Sequence, residues 1–150
     1  MKKLKILFIC SYPPRQCGIA TFSQDLITSL KNSFGASMDI EVCALENECC
    51  DIDDYPREVS YRIEAQKLDS FFKVADKLNE REDIGMVCVQ HEFGLFGGEY
   101  GSHLVAFLLR LNIPISCVFH TVLPNPDLKR IKVMQALDDL SEKLIVLTNK

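Results

Sequence analysis

Two hydrophobic patterns alternate along this chain. Short apolar runs, typical of buried strands, occupy 5–10, 39–45, 86–89, 115–119 and 143–147, and a weaker candidate lies at 59–63. Between them, apolar residues recur at three- and four-residue intervals, which predicts amphipathic helices over 19–34, 65–78, 100–111 and 128–140. Strands that alternate with helices of this length form a parallel sheet with right-handed crossovers, so we expect an α/β fold.

Composition and charge favour a globular domain and argue against two classes of function. With 150 residues, 47% of them hydrophobic and 25% charged, the chain fits one domain spanning 1–150. Its net charge of −4 argues against a nucleic-acid-binding module, which needs a basic face. The apolar stretch at 6–10 is too short for a signal-peptide core or a spanning helix, so we predict a cytoplasmic protein.

The seven cysteines do not predict a disulfide framework. Their number is odd, there is no CxxC pair, and four lie inside apolar runs, where a free thiol behaves as a small hydrophobe: Cys10, Cys43, Cys88 and Cys117. Adjacent Cys49 and Cys50 remain a candidate pair for a redox or metal role. Because no Cys or His spacing matches a known ligand set, we expect no metal.

Residues that could carry chemistry follow three of the predicted strands. Gly18 ends a proline-rich loop after the strand at 5–10, the triplet Gln90-His91-Glu92 follows the strand at 86–89, and His120 follows the strand at 115–119. The carboxyl ends of parallel strands share one edge of the sheet, and that edge binds ligands in open α/β folds. We therefore expect these residues on the same side, whatever the strand order.

The histidines differ in what their positions indicate. His120 ends a strand, where an imidazole can bond a ligand or transfer a proton near neutral pH; the alternative is a histidine that only ties down its loop. His91 has the same placement, but Glu92 could simply hold it as an ion pair. His103 falls inside a predicted helix and is interpreted as structural.

Two glycine sites and one arginine are candidates for contact with an anion. Gly18 precedes a helix, where the missing side chain lets backbone N–H groups approach a phosphate, and Gly97-Gly98 stands in the same relation to the helix at 100–111. Neither site matches GxGxxG or a P-loop, so a tight turn is the competing interpretation. Arg15 is either an anion contact or a solvated loop residue.

The helix at 128–140 carries its charges against the helix dipole. Lys129, Arg130 and Lys132 lie near its start, and Asp138 and Asp139 lie near its end. One interpretation is a basic face offered to an anionic acceptor or to the inner face of a membrane, which would make the protein peripheral there. The other is ordinary solvated charge.

Three ordered segments resemble the N-terminal domain of family 4 glycosyltransferases: YPPRQCGIATF at 12–22, QHEFGLFGG at 90–98 and FHTVLP at 119–124. The resemblance spans essentially the whole chain. It implies a Rossmann-like parallel sheet with helices on both faces, which is the N-terminal half of the two-domain GT-B architecture. Such enzymes retain anomeric configuration as they move a sugar from a nucleotide-sugar donor, a substrate rather than a cofactor, to a glycan or lipid-linked acceptor.

The resemblance also implies roles by position. Gly18 matches the first-loop glycine near the donor diphosphate, although Cys17 stands where many members have another glycine. His120 matches the histidine that contacts the transferred sugar or acceptor near the reacting centre. The acceptor-side loop is matched by Gln90, His91, Glu92, Gly97 and Gly98.

In that family the nucleotide-sugar site lies in a C-terminal domain beyond the matched region. We therefore expect this chain to be a truncated, catalytically silent half, and Thr148-Asn149 would be a natural cap for a further helix. Two other classes of protein stay open. One is a non-catalytic α/β module that binds a ligand or partner, and the other is a flavodoxin-like nucleotide binder.

Overall fold

A computed structural model describes residues 3–47 and 54–147. The strands are β1 (Leu4–Cys10), β2 (Met38–Glu46), β3 (Val59–Glu64), β4 (Ile84–His91), β5 (Ile115–Phe119) and β6 (Lys143–Val146). The helices are α1 (Gly18–Phe34), α2 (Leu68–Asn79), α3 (Ser102–Arg110) and α4 (Leu128–Leu140), and a 3₁₀ turn, Glu99–Gly101, precedes α3. The Cys49-Cys50 pair and the Thr148-Asn149 cap lie outside the described residues.

All six strands belong to one parallel sheet in the order β3-β2-β1-β4-β5-β6. The predicted α/β fold is thus confirmed, and the strand order is that of a Rossmann fold. The chain reverses direction across the sheet between β1 and β4, which makes their carboxyl ends the switch point where such folds bind ligands. The flavodoxin-like topology, which has the order 2-1-3-4-5, is wrong for this sheet, and the nucleotide binding suggested with it stays a prediction.

Helices cover both faces of the sheet, which explains why the central strands are continuous apolar runs. On one face α2, α3 and α4 pack against alternate strand residues, with Phe71 and Phe107 in edge contact at 5.9 Å between ring centroids. On the other face α1 places Ile27 against Phe8 and Tyr12. The sheet separates the two cores, so successive strand residues at the carboxyl edge point to one face or the other.

Two helices start later than the periodicity predicts. The helix predicted from residue 100 begins at Ser102, because Gly98, Tyr100 and Gly101 have φ angles of 78°, 53° and 83°, which a right-handed helix does not admit. The helix predicted from residue 65 begins at Leu68, since Lys67 is still extended at φ −107° and ψ 105°. Both extra segments form turns at the carboxyl edge.

Candidate functional site

The carboxyl edge brings the three predicted strand ends together. β4 lies between β1 and β5, so the loop after β1 and the residues at the ends of β4 and β5 are neighbours. The backbone N–H of His120 donates to the carbonyl of His91 at 3.0 Å, which joins two of the segments directly. The prediction that they share one side of the sheet is confirmed.

His120 is bound to a buried amide. Its Nε2 lies 2.8 Å from Oε1 of Gln90, a side chain with no exposed surface. Because a carbonyl oxygen only accepts, this arrangement puts the proton on Nε2 and leaves Nδ1 as the nitrogen that can accept. The Gln90 amide nitrogen faces Sγ of Cys88 at 3.5 Å, which is consistent with this orientation.

An aromatic ring from the first resembling segment, 12–22, also contacts His120. Phe22, in the first turns of α1, meets His120 edge-on with 4.6 Å between ring centroids. Burial lowers the pKa of His120 below its usual 6.5, and the carboxylate of Glu92 acts in the opposite direction. His120 is therefore neutral at pH 7. Residues from all three resembling segments touch or surround this one imidazole.

Glu92 orders the two loops beside His120. One carboxylate oxygen accepts from the hydroxyl of Thr121 at 2.6 Å, and the other accepts from the backbone N–H of Phe93 at 2.9 Å. The alternative of an ion pair between Glu92 and His91 is wrong, because His91 is buried among aromatic rings and burial lowers its pKa to about 4, which leaves it uncharged at pH 7. Sequence reasoning missed Thr121 and Phe22 as partners; both lay inside the resembling segments, which was the available signal.

His91 is enclosed by aromatic rings. It stacks on Phe96 at 6.0 Å between centroids and contacts Phe93 at 5.0 Å and Phe119 at 4.8 Å. Only 1% of it is exposed, and its Nδ1 has no hydrogen-bond partner among the described residues. Burial, with a smaller effect of His120, lowers its pKa to about 4.

The prediction of a loop at Gln90 and His91 is wrong, because both residues are the last two of β4. They pair with Val118 and Phe119 of β5, so the strand extends two residues beyond its apolar run. Successive strand residues point to opposite faces. Gln90 therefore turns toward α1 and His120, whereas His91 turns toward the aromatic core. Their roles toward a substrate stay predictions.

The first loop is held from both ends. Sγ of Cys17 accepts from the backbone N–H of Ala20 at 3.4 Å as the cap of α1, and lies 3.0 Å from the hydroxyl of Ser11. Arg15 donates to the carbonyl of Leu45, at the end of β2, at 3.3 Å. A Cβ built on Gly18 meets no atom within 4 Å, so packing does not require glycine there.

The Gly97-Gly98 pair has a packing explanation. A Cβ on Gly97 would lie 1.8 Å from the carbonyl oxygen of Ala65, and Gly98 combines φ 78° with contacts to Ser102 and His103. His103 holds the same junction, with Nδ1 3.2 Å from that Ala65 oxygen, which agrees with its structural interpretation. These glycines let the loop after β4 approach the turn before α2. Their role with an acceptor stays a prediction.

Two of the three basic residues at the start of α4 are ion-paired. Lys129 meets Glu99 at 2.5 Å, and Arg130 pairs with Asp127, the residue that caps the helix through the backbone N–H of Arg130. The exposed Lys132 adds its own charge on this side. The start of α4 is therefore close to charge-balanced rather than a strongly basic face.

Taken together, the fold and this edge define a Rossmann-like α/β domain whose carboxyl edge brings Phe22, Gln90 and His120 into contact. The chain matches no family model, and neither the curated proteins nor the solved structures give a match. Among residues 3–47 and 54–147, no three His, Cys, Asp or Glu side chains are grouped to hold a metal ion. No helix in that part of the chain is long and apolar enough to cross a membrane.

Proposed function

We propose that this chain is the N-terminal, acceptor-side domain of a retaining GT-B glycosyltransferase of family 4. The observation that carries the proposal is the convergence on His120. The three segments that resemble the family are far apart in sequence, yet Phe22 from the first and Gln90 from the second both contact the histidine of the third. Parallel strands bring the three segments to one edge in any case, so the support for the proposal is the direct contact of Phe22 and Gln90 with the imidazole.

In this function His120 contacts the transferred sugar or the acceptor hydroxyl. Gln90 holds the proton on Nε2, so Nδ1 accepts a hydrogen bond from a hydroxyl close to the reacting centre. Glu92 and Thr121 fix the loop that carries the imidazole. Gly18, with open space above it at the start of α1, is where the donor diphosphate approaches the backbone.

Affinity for the donor has to come from a second domain. A helix N-terminus contributes about 0.3–2 kcal/mol toward an anion, whereas micromolar binding needs about 8 kcal/mol. Gly18 and His120 alone are insufficient to hold a nucleotide sugar. The proposal therefore includes a C-terminal Rossmann-like half that binds the donor, and it makes the 150-residue chain inactive by itself.

The test is an assay of the complete gene product with a panel of nucleotide sugars and glycan and lipid-linked acceptors. We expect sugar transfer with retained anomeric configuration, and none by residues 1–150 alone. A gene that encodes no second Rossmann-like half, transfer with inversion, or no transfer from any donor would contradict the proposal.

A further inference from the structure

A concave site lies beside the residues around His120, on the face of β4 toward which His91 points. This pocket, which we call the aromatic pocket, has a volume of about 340 Å³, within the range of small-molecule sites. Residues of the loop after β4 and one residue of α4 form it: Phe93, Gly94, Phe96, Gly98, Tyr100 and Arg130. Its walls are thus aromatic rings and bare backbone, with one cation.

Tyr100 is held in this pocket at a conformational cost. Its φ of 53° is left-handed, a conformation that is unfavourable for a residue with a Cβ and that glycine would occupy freely. Its ring lies 4.1 Å from the guanidinium carbon of Arg130, which also lies 6.0 Å from the ring of Phe93. The fold thus keeps two rings and an arginine around one space.

The charges around the aromatic pocket cancel. Arg130, which lines the pocket, is paired with Asp127, and its chain neighbour Lys129 is paired with Glu99. Arg130 uses Nη1 for Asp127, and among the described residues its Nε and Nη2 donate to no other group. A neutral ligand with hydroxyl groups fits this site better than an anion, because Asp127 already balances the charge of Arg130.

The position of the aromatic pocket relates it to the proposed chemistry. Phe93 follows His91 by two residues, which span at most about 7 Å, and the His91 carbonyl is bonded to the His120 backbone at 3.0 Å. Glu92 bonds Phe93 on one side and Thr121 on the other. The aromatic pocket therefore adjoins the His120 centre through the short segment from His91 to Phe93.

We propose that the aromatic pocket binds a neutral hexopyranose ring of the acceptor, an inference that rests on the proposed glycosyltransferase function for its role but not for its binding. The apolar C–H face of the sugar packs on Tyr100 and Phe93, and its hydroxyls accept from the unused N–H groups of Arg130. Acceptors that end in a neutral sugar are then the substrate class.

The test measures binding to the 150-residue chain, without donor or turnover. Methyl α-glycosides of glucose, mannose and galactose are titrated against the labelled protein by NMR, beside glucose 6-phosphate and glucuronate. We expect at least one neutral glycoside to bind with a Kd of about 10 mM or lower, shifting the signals of Phe93 and Tyr100. The anionic sugars are expected to bind no more tightly.

Matched variants identify the pocket. Tyr100→Gly keeps the left-handed backbone and removes the ring, so it is expected to weaken binding at least tenfold, whereas Tyr100→Phe stays within threefold. Phe93→Leu gives a second ring deletion should Tyr100→Gly fail to fold. Phe34→Leu, at the exposed far end of α1, is the control and leaves the Kd unchanged.

Three results would overturn the inference: no neutral glycoside binds, Tyr100→Gly and Phe93→Leu both leave the Kd unchanged, or an anionic sugar binds tenfold more tightly. None of these depends on sugar transfer. Binding without transferase activity in the complete gene product would leave this site standing and remove the proposed function. Sugar transfer by the complete gene product without glycoside binding in the aromatic pocket would remove this site and leave the proposed function standing.

Discussion

The amide of Gln90 decides which nitrogen of His120 carries the proton. Since its Oε1 can only accept, Nε2 of His120 donates and Nδ1 is the acceptor. Burial keeps this imidazole neutral at pH 7, and Glu92 limits how far the pKa falls. Burial and the carboxylate of Glu92 thus act on the pKa of His120 in opposite directions.

Changing either neighbour should move the pKa of His120 in a predictable direction. Gln90→Glu places a carboxylate 2.8 Å from Nε2, so the pKa of His120 is expected to rise. Glu92→Gln removes the opposing charge, so the pKa is expected to fall. NMR titration of the His120 ring protons measures both, and shifts of the same sign in the two variants would contradict this geometry.

His91 should make the fold sensitive to acid. The pKa of His91 in the folded protein, about 4, lies below the usual 6.5. As the pH falls, the unfolded chain therefore binds a proton at a higher pH than the folded protein does. Stability is full above pH 6.5 and declines by roughly 3 kcal/mol as the pH falls to 4. His91→Leu removes this loss and, by removing a buried unpartnered nitrogen, does not destabilise the protein at pH 7.

Urea unfolding at pH 7 and pH 4.5 measures that difference. We expect the wild type to lose more stability than His91→Leu between the two pH values. Equal losses would mean that the imidazole is accessible to protons in the folded state, contrary to its enclosure by Phe93, Phe96 and Phe119.

At the scale of the elements, two glycines that look alike in sequence have different neighbours. Gly97 touches backbone of the turn before α2, so Gly97→Ala forces the two segments apart and is expected to cost at least about 2 kcal/mol. Gly18 has open space and no positive φ, so Gly18→Ala is expected to leave stability unchanged or slightly higher.

Thermal unfolding of the two variants compares them directly, and transfer activity of Gly18→Ala in the complete gene product separates packing from binding. We expect that variant to be fully folded and to be impaired toward the donor. Unimpaired activity would return Gly18 to the tight-turn interpretation, while a Gly97→Ala protein as stable as wild type would refute the close approach to Ala65.

Much of the element pattern was predictable, because buried parallel strands and amphipathic helices differ in hydrophobic period. Five strands and four helices were found at the predicted places, and 59–63 proved to be a true edge strand. β4 was too short in the prediction, since Gln90 and His91 are polar residues inside a strand. Their opposite directions follow only once pairing with β5 is known.

The site was predictable as a location but not as a set of contacts. Parallel topology required the strand ends to meet at one edge, and they do. That Phe22 would reach His120 depends on how α1 lies across the sheet, which no local pattern encodes. The aromatic pocket escaped prediction because Tyr100 looked like the start of a helix, whereas its left-handed backbone makes it a wall.

At the scale of the whole molecule, the two edges of the sheet differ in kind. The carboxyl edge carries His120 and its contacts, and the amino edge carries an ion-pair network in which Arg81 and Lys5 join Glu41 and Asp83 at 2.6–2.9 Å. Chiefly through Arg81, with help from Lys5, the pKa of Glu41 falls to about 2 despite burial. The ion pairs at the amino edge therefore stabilise the fold, whereas the residues of the proposed site lie at the carboxyl edge.

Glu41→Gln should weaken the fold in a pH-dependent way. Because the folded pKa lies below the usual 4.5, the ionised carboxylate stabilises the protein above pH 4.5, and this contribution disappears as the pH falls to 2. We expect the variant to lose on the order of 2–3 kcal/mol at pH 7 and little at pH 2. Glu82→Gln, an exposed neighbour, is the control, and equal effects of the two in urea unfolding at pH 7 would contradict the network's role.

The most direct measurement of the central claim is the transfer rate of the complete gene product with His120→Ala, beside Val122→Ala from the same loop. If His120 lies at the reacting centre, kcat/KM falls roughly 10²–10⁴-fold in the first variant, and the second, with its half-exposed side chain, stays near wild type. A loss below threefold in a folded His120→Ala protein would make the histidine a loop anchor and contradict the site proposed here.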